Sequence, residues 1–311
     1  MKFSHKKKAY IAAILYSLIT GLSFLFSKLT LTLANPLDTL AHRFTVSFIF
    51  ASIPVLLGWI KLDVNKKDII RILPLSLFYP IMFFGFQIFG LVYISSSEAG
   101  IIQATIPIFT MILSIIFLKE NPSTLQKISM LISVLGVAYI FFMKGINLKS
   151  NIFIGILLIL LSAISSAGNN VLSKRMSVRY SPISLTYIVN SMGFIFFNSI
   201  SIINHIFKGT INIYFKPFSN PVFVGSIVYL GILSSLMTSL LVNYALSKIE
   251  ASKMSVFSNF STLITMIVGV IFLGEELKYF HIIGAIMIIL GIIGTNFLDN
   301  TSRDLTEECK S

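Results

Sequence analysis

The chain has 311 residues, of which 55% are hydrophobic and only 12% are charged. A soluble domain carries about a quarter charged residues, so this composition leaves too little polar surface for a soluble globule and predicts a protein solvated by lipid. The net charge of +12 does not indicate a nucleic-acid partner, because the basic residues occur in short clusters between apolar runs.

Ten segments are long and apolar enough, or nearly so, to cross a membrane as helices, which takes about 20 residues each. The first follows the basic residues Lys6 to Lys8, and we interpret it as a retained helix rather than a cleaved signal peptide. The predicted fold is therefore an all-α integral membrane protein with ten transmembrane helices. The predicted spans are residues 9–27, 39–59, 72–94, 97–118, 125–143, 152–172, 183–204, 222–246, 252–273 and 280–297.

The distribution of Lys and Arg predicts how these spans are oriented. With ten spans and an internal N-terminus, 17 of the 24 basic residues fall on the inner side and 7 on the outer side. The positive-inside rule then predicts a multi-pass protein of the plasma membrane with both termini in the cytoplasm.

Recurring residues predict that the chain consists of two repeats. Ser27-Lys28 matches Ser173-Lys174 at an offset of 146 residues, and Ser95 to Ala99 matches Ser247 to Ala251 at an offset of 152. Five spans per repeat is an odd number, so the second repeat must enter the membrane inverted, as is typical of alternating-access transporters. The predicted units are a first five-helix repeat, a second inverted repeat and a polar cytoplasmic tail, at residues 1–145, 146–297 and 298–311.

Short motifs in both halves resemble those of a known family. The first half has Pro36 followed by Arg43, and Glu98-Ala99 leading to Phe117-Leu118-Lys119-Glu120. The second half has Asn243-Tyr244-Ala245-Leu246, Glu250 to Ser255, and Phe272-Leu273-Gly274-Glu275. From about residue 9 to 297 the chain resembles the drug/metabolite transporter superfamily in its ten-helix, EamA-type form. The resemblance implies a central cavity between the halves and transport of an amino acid or similar solute, but it does not identify the solute.

Polar side chains within the spans indicate where that solute would bind, because they are costly in lipid unless they face protein or water. The first and sixth helices carry polar stripes with identical spacing, Tyr16-Thr20-Ser23-Ser27 and Ser162-Ser166-Asn169-Ser173. The alternative for all of these residues is helix packing through buried hydrogen bonds. The candidate substrate-binding residues are Gln87, Gln103, Asn169, Asn190, Asn259 and Tyr79.

Charged residues near span ends suggest two gates. Arg43 and Glu98 are expected to form an outer ionic latch, and Glu250 an inner latch with Lys174 and its basic neighbours. The alternative is that Arg43 anchors its helix at the interface and that Glu98 is a helix N-terminal charge.

The sequence lacks catalytic signatures such as HExxH or a phosphate-binding glycine loop. The histidines, His5, His42, His205 and His281, fall near span ends, so neither a metal site nor a cofactor is expected. The sequence therefore predicts a secondary transporter of a small-molecule solute that works by alternating access, and not an enzyme. A channel, a lipid scramblase and, less favoured, a membrane-embedded enzyme stay open as alternatives. A homodimer is also left open.

Overall fold

The structure, a computed structural model, describes residues 5–62, 64–144, 150–274 and 278–297. Helices make up nearly all of these residues, and no strand occurs among them. We label the long helical segments α1 Lys6–Leu31, α2 Pro36–Leu56, α3 Lys66–Tyr93, α4 Ser96–Leu118, α5 Thr124–Lys144, α6 Ile152–Met176, α7 Pro182–Lys208, α8 Pro221–Leu246, α9 Ala251–Leu273 and α10 Tyr279–Phe297.

Eight of these segments, all except α5 and α10, are long and apolar enough to cross a membrane. The apolar stretches found in the other two, Thr124–Gly136 and Ile282–Gly291, are shorter. The described part of the chain is therefore a multi-pass helical membrane protein. The predicted polar tail, 298–311, and Glu275 of the repeated motif lie outside the described residues.

Small polar residues fix where several helices begin. Asn35 accepts a hydrogen bond from the backbone N–H of Asp38 and is followed by Pro36, whose ring suits the first turn of α2. Ser95 and Glu98 form a capping box, in which each side chain accepts a hydrogen bond from the other's backbone N–H, at the start of α4. These caps satisfy amide groups that the first turn of a helix leaves without intrahelical partners.

Four spans are irregular within their length. Wider π-helical turns occupy Leu77–Met82 in α3 and Tyr229–Met237 in α8. A turn at Ala104 and Thr105 interrupts α4, and Val256 interrupts α9. Such breaks are tolerated within a membrane only where neighbouring protein or water satisfies the released backbone groups.

Pairs of helices pack closely across the bundle. α1 packs against α8 and α9, α6 packs against α3 and α4, α2 pairs with α7, and α5 pairs with α10. Small residues permit this approach: a Cβ atom on Gly90 of α3 would lie 3.2 Å from the backbone oxygen of Gly155 in α6. The arrangement leaves a central space between α1, α3, α6 and α8.

Candidate functional site

A narrow cavity of about 30 Å³ lies in this central space. Its wall combines hydroxyl groups, amide groups and aromatic rings, and no acidic or basic side chain is among the described residues that line it. Such a mixture of apolar surface with a few polar groups is typical of a site for a small molecule. The lining residues are Tyr16, Thr20, Ser23, Leu75, Tyr79, Phe83, Phe84, Gln87, Ser166, Asn169, Asn170, Val189, Ser234, Thr238, Ser239, Val242 and Asn243.

The two polar stripes predicted on α1 and α6 divide between the cavity and helix packing. Their middle members, including Thr20 and Ser166, line the cavity. At the far end of the α6 stripe, the Ser173 hydroxyl donates to Asn243 Oδ1 of α8 at 2.9 Å. Both readings of the stripes therefore hold, each for different residues.

The predicted binding residues also divide into two groups. Tyr79, Gln87 and Asn169 lie on the cavity wall. The side-chain amides of Gln87 and Asn169 make no hydrogen bond to any other residue that the structure describes, although both side chains are buried from the outside. Two amide groups thus face the central space with hydrogen-bonding capacity to spare.

Gln103, Asn190 and Asn259 lie outside the cavity wall and bond to neighbouring helices. Gln103 Nε2 donates to Ser162 Oγ of α6 at 3.2 Å, and Asn190 Oδ1 accepts from Ser47 Oγ of α2 at 2.6 Å. Asn259 donates to Ser133 of α5. Each of these three amides has a partner on another helix, although Asn259 Oδ1 is buried without one among the described residues, so their part in solute binding stays a prediction.

Arg43 is buried in the bundle, with only 1% of its surface exposed. Its Nε donates to Ser235 Oγ at 2.6 Å, and its Nη2 donates to Ser234 Oγ at 2.8 Å. The guanidinium carbon lies 3.8 Å from the centroid of the Phe84 ring. Arg43 is therefore not an interface anchor that reaches the membrane surface, and the alternative considered for it from the sequence is wrong.

The expected outer latch is not formed in this structure. Arg43 contacts α8 because α2 packs against α7 and the irregular part of α8. The Glu98 carboxylate accepts from the backbone N–H of Ser95 at 2.8 Å, as a helix N-terminal charge does. None of the described contacts of Arg43 involves Glu98, so the pairing of these two residues stays a prediction for another conformation.

The residues of the expected inner latch lie near each other but use other partners. Lys174 Nζ donates to the backbone oxygen of Ile249 at 2.8 Å. The Glu250 carboxylate lies 3.3 Å from Lys253 Nζ. Lys174 therefore binds the chain directly before Glu250 rather than its carboxylate.

Sequence reasoning missed a buried polar cluster between α2 and α7. Asp38 and His205 are 4% and 3% exposed, and Ser201 Oγ donates to Asp38 Oδ1 at 2.5 Å. Tyr214, in the segment before α8, packs its ring against His42 and His205. Burial, reinforced by the charge of Asp38, raises the pKa of Tyr214 to about 12. The part of the cluster on α2 and the part around His205 are far apart in the sequence, so no local spacing signals the cluster as a whole.

The contribution of α8 to the cavity was also missed. The side of α8 that lines the cavity carries Thr238, Ser239 and Asn243. Asn243 follows Ser239 by four residues, about one helical turn, so these two side chains lie on the same face. Asn243 belongs to a motif on which the family resemblance rests, and this was the one signal that could have identified it.

Comparisons with known proteins agree with this structure. A protein of Bacillus subtilis (strain 168) described as the uncharacterized transporter YcxC is 55% identical over 288 residues, which cover 93% of this chain and 92% of that protein. An uncharacterized transporter of Archaeoglobus fulgidus is 30% identical over 292 residues, which cover 92% of this chain and 97% of that protein.

A crystal structure of a protein that is 15% identical in sequence superposes on this chain with a TM-score of 0.72 and covers 94% of this chain and 97% of that one. At such low identity the match shows a shared fold alone. The model of the EamA-like transporter family matches residues 7–142 and 153–297. These matches span nearly the whole chain and agree with its helical membrane fold: the protein belongs to the EamA-like transporter family.

Proposed function

We propose that the protein is a secondary transporter that moves a small polar metabolite, such as an amino acid or similar solute, across the plasma membrane by alternating access. The observation that carries this proposal is the polar cavity between α1, α3, α6 and α8. Hydroxyl and amide groups at membrane depth need either protein partners or a hydrated space, and here Gln87 and Asn169 have no described protein partner. A solute of matching polarity would supply that partner while it crosses.

The proposal includes ten spans arranged as two inverted repeats. The π-helical segments begin at Leu77 and Tyr229, 152 residues apart, and the breaks at Ala104 and Val256 have the same offset. This offset equals that of the matching Ser95 to Ala99 and Ser247 to Ala251 segments. Irregularities that recur at the offset of a sequence repeat support a recurring structural unit.

The helix pairings support the same symmetry. In the proposed repeat, α1 corresponds to α6, α3 to α8 and α4 to α9. The α1–α9 contact then corresponds to the α6–α4 contact, and the α1–α8 contact to the α6–α3 contact. All four contacts occur. At the helix ends, Lys28 Nζ donates to the backbone oxygen of Leu91 at 2.5 Å, and its counterpart Lys174 donates to the backbone oxygen of Ile249 at 2.8 Å, although Leu91 and Ile249 are not matched positions of the repeat. With an inverted repeat, the two matched lysines would lie at opposite faces of the membrane.

The cavity lies where such a repeat would place a transport site. Thr20 and Ser166 occupy equivalent positions at the 146-residue offset, as do Ser23 and Asn169, and all four line the cavity. A site shared between two halves can be opened to either side when one half rocks against the other. The excess of basic residues on one side further supports cytoplasmic termini.

Transport by the purified protein tests this proposal. Proteoliposomes would be incubated with an isotope-labelled mixture of metabolites, with or without the same unlabelled mixture inside, and the accumulated label identified by mass spectrometry. A carrier predicts saturable uptake of selected solutes that is faster when the same solute is inside. Uptake equal to that of protein-free vesicles would contradict a transport function, and non-saturable uptake without stimulation from inside would favour a channel.

A further inference from the structure

We propose that the transported solute is a small organic anion and that Arg43 attracts and binds its negative group. This inference rests on the proposed transport function and narrows it to a substrate class. It follows from the position of an uncompensated buried cation beside the cavity.

Arg43 carries its charge inside the bundle without an acidic partner. Its described hydrogen bonds reach only the hydroxyl of Ser235 and the hydroxyl and backbone oxygen of Ser234. Among the described residues, its Nη1 group has no hydrogen-bond partner. Buried charges in proteins are usually paired, because their removal from water is unfavourable unless an opposite charge compensates for it.

The nearest carboxylate cluster does not supply this charge. Asp38 lies five residues before Arg43 on α2. Its carboxylate is hydrogen-bonded by His205, Ser201 and Asn35. None of the described salt bridges involves Arg43, and the ionisable groups beside it include the phenols of Tyr79 and Tyr229. Tyrosine side chains are neutral at physiological pH, so the positive charge of Arg43 is not cancelled.

This charge lies directly behind the cavity wall. Ser234 and Phe84 both line the cavity, and both are in direct contact with the guanidinium. The guanidinium is therefore separated from the cavity by no more than one side chain. A positive potential in a site with low-dielectric walls attracts anions and repels cations.

The rest of the wall is suited to the remainder of such a solute. No acidic side chain lines the cavity within the described residues, so nothing there offsets the positive potential. The amides of Gln87 and Asn169 offer donors and acceptors for further polar groups, and Phe83 and Tyr79 offer aromatic surface. An anion that reaches Arg43 would accept hydrogen bonds from Nη1 and from the Ser234 hydroxyl, and the planar guanidinium suits a carboxylate or a phosphate.

The experiment uses matched pairs of solutes in proteoliposomes. Each pair is a small carboxylic acid with its primary amide, or a phosphate monoester with its parent alcohol. The pairs are chosen from the classes of solute that the protein accumulates from the metabolite mixture. We expect the wild-type protein to accumulate the anion of a pair about tenfold or more over its neutral partner, as expected for a charge-assisted hydrogen bond. Preference within the acid–amide pairs alone would identify a carboxylate, and preference within the phosphate pairs alone a phosphate.

Variants test whether Arg43 produces this preference. Arg43→Gln is expected to bring the anion-to-neutral ratio close to one through loss of anion uptake. Arg43→Lys keeps the charge and is expected to retain a reduced preference, which provides a second variant if Arg43→Gln does not fold. Arg71→Gln is the matched control, because Arg71 is 54% exposed and pairs with Asp68 away from the cavity.

The outcomes separate this inference from the proposed function. The anion proposal would be overturned, and the transport function would stand, if the wild-type protein accumulated the neutral and anionic partners equally. Accumulation of cations alone would have the same meaning. An anion preference that survives in Arg43→Gln would overturn the role of Arg43. Failure of every metabolite to accumulate would contradict the transport function, and the inference would fall with it.

Discussion

Asp38, at the start of α2, and His205, at the end of α7, form a buried pair in which His205 Nε2 lies 2.9 Å from Asp38 Oδ1. The other ring nitrogen of His205 lies 2.8 Å from Thr210 Oγ1, in the segment that leads to α8. The same carboxylate also accepts from Asn35 Nδ2 at 2.6 Å. Asp38 and His205 together thus join α2, α7 and the connection to α8 at one end of the bundle.

This pair predicts a loss of stability when His205 is replaced by an apolar residue. His205→Leu would remove one hydrogen-bond partner of the buried Asp38 carboxylate, which lowers the free energy of unfolding by about 1–3 kcal/mol. His205→Gln keeps an N–H donor and is expected to lose less. Equilibrium unfolding of the purified variants in detergent measures both, and equal stability of His205→Leu and the wild type would show that the pair contributes nothing.

The amide groups predict two classes of variant. Gln87→Leu and Asn169→Leu should reduce transport with little change in stability, because these amides bond no described residue and line the cavity. Asn190→Leu should lower the free energy of unfolding by about 1–3 kcal/mol, because it leaves the buried hydroxyl of Ser47 without its partner. Uptake in proteoliposomes and unfolding in detergent distinguish the classes. Normal transport by both Gln87→Leu and Asn169→Leu would place the binding site elsewhere.

The contact between α5 and α10 predicts that its glycines cannot be replaced. A Cβ atom on Gly136 would lie 2.8 Å from the backbone oxygen of Gly284, and one on Gly291 would lie 2.6 Å from that of Ser129. Gly136→Ala should therefore separate the helices and lower the free energy of unfolding by about 1–3 kcal/mol. Gly85→Ala is the control, since its added Cβ atom has no neighbour within 4 Å. Equal effects of the two changes on unfolding would argue against close packing of α5 and α10.

The positions of Arg43 and Glu98 predict that the two residues act independently in this conformation. Arg43→Gln and Glu98→Gln, singly and together, form a double-mutant cycle. Because Arg43 contacts α8 and Glu98 caps α4, their effects on the free energy of unfolding should add to within about 0.5 kcal/mol. A coupling energy well above that value would show that Arg43 and Glu98 interact, as the outer latch requires.

The helical membrane fold was predictable because it depends on composition and on the length of apolar runs. Eight spans agree with that prediction, and the family resemblance agrees with the match to the EamA-like transporter family. Lipid leaves few alternatives to helices for a chain this apolar, so periodicity and length suffice.

The details of the site were only partly predictable, because a polar residue in a span looks the same whether it faces a cavity or a neighbouring helix. Asn169 and Asn190 are both amides at membrane depth, yet one lines the cavity and the other bonds Ser47. The contact of Arg43 with Ser234 joins residues 191 positions apart, so it depends on which helices pack together. Local sequence does not determine that choice.

The accessibility of the cavity from both sides of the membrane tests the central claim most directly. Single cysteines would be placed at Thr20 and Ser166 in a Cys309→Ser background, with lipid-facing Ile267→Cys as control, since Ile267 is 55% exposed on the outside of the bundle. Alternating access predicts that an impermeant maleimide labels both cavity cysteines from outside intact cells and also from the inner face in inverted vesicles, more slowly when a transported solute is present. The control cysteine should not show this pattern. Labelling of the cavity cysteines from one face only, unaffected by solute, would contradict the account.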